Sequence, residues 1–99
     1  VADYDIPDDL LQLKVDFLAA MARCEEIAKR LPSAVAVLAQ EAEPDPALQA
    51  EYDQERARRL DIVVRIYRHP WWETVKETRH QADMALLAAA KEALARQES

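Results

Sequence analysis

Residues 10–31 read LLQLKVDFLAAMARCEEIAKRL, and this stretch decides the fold class. Leu10, Leu13, Phe17, Ala20, Cys24, Ile27 and Leu31 recur at alternating steps of three and four. A helix brings residues so spaced onto one side, and the alternation is the a/d seam of a coiled coil sustained over three heptads. Leu18 and Met21 widen the stripe, while Lys14, Asp16, Arg23, Glu25 and Lys29 fall on other faces. Upstream, Pro7-Asp8-Asp9 supplies a start: proline suits a first turn, and two carboxylates favour the positive end of the helix dipole. Downstream, Lys29 and Arg30 complement the last turn and Pro32 stops it. The first helix is therefore placed at residues 7–31.

Three further helical stretches follow. Ser33 reads as the N-cap of a short apolar helix over 34–42, which opens Ala34-Val35-Ala36-Val37-Leu38-Ala39. Glu43-Pro44-Asp45-Pro46 forbids a continuous helix; Asp45 caps the next one and Pro46 takes its first position, giving a helix over 46–68. The first half of that helix is polar. Its second half carries Leu60, Ile62, Val63, Val64, Ile66 and Tyr67 around most of its circumference, which predicts more than one packing neighbour. His69-Pro70-Trp71-Trp72 opens the last stretch, 70–96, with Trp72, Val75, Ala82, Leu86, Ala89 and Ala93 near one face. Pro70 makes either a tight corner or a kink in one long helix. The expected architecture is an all-α single domain over residues 1–99: a small bundle of three long helices plus one short helix, with antiparallel neighbours.

The chain has no glycine, which removes several function classes at once. Phosphate-cradling loops and dinucleotide turns need residues without a Cβ beside the phosphate, and the nucleophile elbow of α/β-hydrolases needs flanking glycines. Two-residue hairpin turns want glycine as well, so a hairpin-rich β fold is not expected. The single Cys24 forms no internal disulfide and no Cys-x₂-Cys zinc spacing; on the seam it reads as a small core residue. Turns are expected from proline, serine and aspartate alone. No run of about 18 apolar residues exists to span a membrane. The acidic Val1–Asp5 lacks a basic or apolar leader pattern, and with one unpaired cysteine the expectation is a cytoplasmic protein.

The net charge of −6 is unevenly spread. Acids dominate residues 1–55, whereas Arg56, Arg58, Arg59, Arg65, Arg68, Lys76 and Arg79 make 56–80 basic. The favoured reading is that these two segments of one bundle attract each other. An arginine face that grips phosphate is the competing one, and the acidic whole weighs against nucleic acid.

Two constellations carry chemistry. Trp71 and Trp72 lie about 100° apart on a helix, so one is expected to anchor the bundle and the other to meet a partner, the evenly weighted alternative being that both cover the bundle end with Tyr67 or Val75. With Leu60, Val63, Val64 and Tyr67 they form an apolar and aromatic docking face, and Arg65 and Arg68 on its rim would select an acidic or self-complementary partner. Glu77-Thr78-Arg79-His80 is the second: a carboxylate and an imidazole at (i, i+3), as in four-helix di-iron sites. A homodimer with Glu25 or Glu26 from each first helix would complete a set for iron or another divalent metal. The leading expectation is a helical interaction module, homodimeric or a small subunit of a complex, with no cofactor and no catalytic residues. The alternatives are a dimeric metal-binding helical protein and a nucleic-acid accessory protein.

Overall fold

A computed structural model describes residues 4–98; the reading of Val1–Asp3 lies outside the described residues. Helix α1 spans Asp8–Arg30, with Asp8 and Asp9 in its first turn and Lys29 and Arg30 in its last. Helix α2, Ala34–Leu38, is capped by Ser33, whose hydroxyl accepts from the Ala36 N–H at 3.0 Å. Helix α3, Pro46–Tyr67, is capped by the Asp45 carboxylate, which accepts from the Leu48 N–H at 3.1 Å. A single turn, α4 (Trp71–Thr74), and a 3₁₀ turn over Lys76–Thr78 lead into α5, Arg79–Glu98. No strand occurs among the described residues, and the small all-α bundle of three long helices is as the seam of residues 10–31 implied.

Two boundaries differ from expectation. Helix α2 ends at Leu38 rather than 42 because the chain turns there through a left-handed residue, Gln40, at φ 59°. The Glu41 N–H bonds to the Ala36 carbonyl at 2.8 Å and the Gln40 N–H to Val37 at 3.1 Å, the pair of bonds that closes a helix in a Schellman motif. The turns of this chain thus use one glutamine in a position where glycine is usual. The last stretch is also not one helix over 70–96: Val75 sits at φ −127°, ψ 20° and breaks it. Thr74 and Val75 are both β-branched, and the Thr74 hydroxyl donates to the Trp71 carbonyl at 2.6 Å, competing for an acceptor the helix would use.

Helix α1 lies at the centre of the packing, with α3 and α5 both against it and little contact between those two. Helices α1 and α3 run antiparallel. Arg23 meets Glu55 at 3.0 Å and Asp9 meets His69 at 2.9 Å, so a step of fourteen residues, two heptads, along one strand of the pair matches fourteen back along the other. The inner side of α3 is Leu48, Tyr52, Glu55, Arg59, Ile62 and Ile66, all buried or half-buried at steps of four and three. Helix α5 presents Ala82, Leu86 and Ala90, each fully buried, and the two alanines permit close approach. Because α5 also packs on α1, the chain folds back at His69–Pro70; a long kinked helix would have carried α5 past the start of α1.

The main core cluster joins Leu10 and Ala20 of α1, Ile62 and Ile66 of α3, the two tryptophans, and Ala82 and Leu86 of α5. The molecule is nonetheless extended, 55 × 30 × 20 Å, with a radius of gyration of 17.5 Å. A compact chain of this length would have about 13 Å. Its accessible surface is 7225 Å², against about 5,700 Å² for a typical monomer of this mass.

Candidate docking surface

The corner that reverses the chain is fixed by the two tryptophans. Both are buried. The Trp71 indole N–H donates to the Asp5 carbonyl at 3.0 Å, and that of Trp72 to the Ile66 carbonyl at 2.7 Å. Their rings meet edge-on with centroids 5.1 Å apart, and Tyr4 closes on Trp71 at 6.2 Å. Arg79 lies over the Trp72 ring at 4.9 Å and over Tyr67 at 5.9 Å. The expectation that one of the pair faces a partner is therefore corrected. A single helical turn enclosed by the segment before α1, the end of α3 and the start of α5 can bury both directions at once, which the middle of a long helix cannot.

His69 links the corner to α1. Its Nδ1 accepts from the Trp71 backbone N–H at 3.1 Å, so in the neutral ring the proton sits on Nε2 and is donated to Asp9 at 2.9 Å. That hydrogen bond from His69 holds the Asp9 carboxyl below its ordinary value.

The other members of the expected face remain at the surface to different degrees. Leu60 and Tyr67 are each 63% exposed, while Val63 and Val64 are half-buried. One heptad separates Leu60 from Tyr67, so both lie on the same outward side of α3, away from the Ile62 and Ile66 contacts with α1. Arg56, Arg59, Leu60 and Val63 line a shallow groove there, with Asp53 and Ala57.

The arginines do not pair with the acidic first half as expected. Arg65 bonds Asp61 of its own helix at 3.1 Å, an exposed pair of little energetic weight. Arg56 lies over the Tyr52 ring at 5.7 Å. Among the described residues, Arg58, Arg59 and Arg68 have no carboxylate within 4 Å. The cross-helix arginine link is Arg23 to Glu55, and both of its residues belong to the acidic segment 1–55. The reason is spatial: the seam facing α1 takes Glu55 and Arg59, whereas Arg56, Arg58, Arg65 and Arg68 point elsewhere.

A second exposed apolar patch was missed in the sequence. Helix α2 buries none of its residues; Val35 is 76% and Leu38 84% exposed. Leu31, Pro32, Val37, Leu38, Pro44 and Pro46 line an open, mainly apolar groove beside it. Glu41 and Glu43 line the adjoining depression. The available signal was that the run AVAVL is apolar on every side of a helix too short to bury them all.

The residues considered as metal ligands are dispersed. Glu77 lies in the 3₁₀ turn and His80 in the first turn of α5, so they do not share one continuous α-helical face, and both are exposed. Glu25 and Glu26 are exposed on α1, fifteen or more residues past Leu10, or about 22 Å along the helix axis from the corner end. Among the described residues no group of three His, Cys, Asp or Glu side chains could hold an ion. Cys24 is buried in the seam, as its spacing implied.

Residues 9–96 match the model of DUF8825, a domain of unknown function. The chain belongs to this family. The match takes in α1, the corner and most of α5, so the features described above fall within the DUF8825 domain. No curated protein and no solved structure matches the chain. Among the described residues no helix is long and apolar enough to cross a membrane.

Proposed function

We propose that the chain is a helical protein–protein interaction module whose docking surface is the outward side of α3. The observation that carries this reading is the pair Leu60 and Tyr67: two large apolar side chains one heptad apart, each 63% exposed, on a helix already packed along another side. A stripe of this spacing is what a second helix seats upon. The surface excess of the extended fold adds support, being about 1,500 Å² for one chain, more than the roughly 800 Å² that each partner contributes to a standard protein–protein interface. Val63 and Val64 flank the anchors, and Arg56 lines the groove beside Leu60, where a charge governs partner choice more than affinity; Arg65 lies about 140° around the helix from Leu60, away from the stripe. The tryptophans hold the corner that fixes the end of the stripe. A cytoplasmic setting with a protein partner, itself first of all, is the context in which this surface would work.

The test is the pair of variants Leu60→Asp and Tyr67→Asp, studied by sedimentation equilibrium and by concentration-dependent amide shifts. Self-association lost in both variants, with helicity and Tm retained, supports the reading. Association unchanged by either variant overturns it.

A further inference from the structure

Five large apolar side chains are strongly exposed among the described residues: Val35, Leu38, Leu60, Tyr67 and Met84. Four of them fall into two patches, and the patches carry opposite charge. The α2 patch lies within residues 31–55, a stretch with six carboxylates and no lysine, arginine or histidine. Of these, Glu41 and Glu43 border the apolar groove and have no cationic partner among the described residues. The α3 stripe is bordered by Arg56 and Arg59, and Arg68 directly follows Tyr67 in the chain; among the described residues none of the three has a carboxylate partner.

Within one molecule the two patches cannot meet. Leu60 is fourteen residues along α3 from Pro46, the residue that borders the α2 groove, or about 21 Å of rigid helix. Two copies remove that obstacle. We infer that the groove beside α2 receives the α3 stripe of a second copy of this chain, Leu60 and Tyr67 entering the apolar floor and Arg56 and Arg68 facing Glu41 and Glu43. This rests on the α3 stripe being a docking surface and names its partner element. In a two-fold arrangement the contact is made twice, because each copy offers both patches. Apolar burial supplies the affinity, while the charged rims set the pairing and reject like against like.

The charges allow a test that folding defects cannot imitate. One variant combines Arg56→Glu with Arg68→Glu, making both rims acidic. The other combines Glu41→Arg with Glu43→Arg, making both rims basic. Each variant alone is expected to associate at least about tenfold more weakly than the unaltered chain, with its helical circular dichroism retained. An equimolar mixture should recover association, as a heterodimer, because acidic α3 then meets basic α2 and the reverse. Leu38→Asp separates the two levels of the argument. Association lost in Leu60→Asp but unchanged in Leu38→Asp would retain the α3 docking surface and overturn this pairing. An unaltered chain that remains monomeric, or a mixture that fails to recover, also overturns it, as would α3 engaging a single-stranded oligonucleotide in place of a second copy.

Discussion

The Trp72 indole N–H and the Ile66 carbonyl, six residues apart and 2.7 Å from each other, tie the single turn after the chain reversal to the last turn of α3. The bond is buried, and its acceptor also receives the His69 N–H at 3.2 Å. Replacing Trp72 by phenylalanine removes one hydrogen bond while keeping most of the ring. The expected loss is about 1 kcal/mol in a urea melt. Trp72→Ala should cost about 3–5 kcal/mol, a large share of the stability of a domain this size. Near-equal losses in the two variants would show that the indole N–H, not the ring volume, carries the corner.

Asp9 gives the corner a pH dependence with a definite sign. Its carboxyl is depressed by the hydrogen bond from His69, below the ordinary 3.8. The stabilisation is therefore fully present above pH 3.8 and is lost as the pH falls through the lower folded value. A ¹³C carboxyl titration should place Asp9 below its ordinary value. In His69→Ala it should return toward its ordinary value; an unmoved titration would contradict the assigned bond.

Gln40 is the residue at which the lack of glycine is felt. At φ 59° its Cβ crowds the backbone, whereas glycine adopts the same conformation freely. Gln40→Gly should raise stability by about 0.5–1 kcal/mol, seen as a higher denaturation midpoint with an unchanged m-value. A destabilised variant would mean that the glutamine side chain holds the turn.

The α3 stripe and the α3 seam should respond oppositely to the same substitution. Leu60→Asp, at a 63% exposed site, is expected to change stability by no more than about 0.5 kcal/mol. Ile66→Asp buries an unpaired carboxylate against Trp72 and Leu10 and should abolish the folded state. Thermal melts followed by circular dichroism compare them directly.

The α1 seam was legible because its members are apolar at every step. The matching side of α3 was not, because Glu55 and Arg59 occupy two of its six positions and interrupt its apolar pattern, Glu55 serving instead as the partner of Arg23 on α1. The caps at Ser33 and Asp45 were readable from residue type; the break at Val75 depended on how the Thr74 hydroxyl competes for a carbonyl. The candidate surface was half visible. Leu60 and Tyr67 are exposed, as a docking face requires, whereas Trp71 and Trp72 are both buried, because burial at a corner follows from how three segments converge, which periodicity does not encode.

The arrangement of α3 and α5 on α1, with little contact of their own, governs how a disturbance travels. In a closed triangle of helices each pair reports directly to the third. Here a partner seated on α3 as proposed would reach α5 by three routes: Arg79 at the start of α5, which lies over the Tyr67 ring, the side chains of α1 that both helices share, and the tryptophan turn between them. Hydrogen exchange in the later turns of α5, beyond Arg79, would then read out α1 as a shared spine.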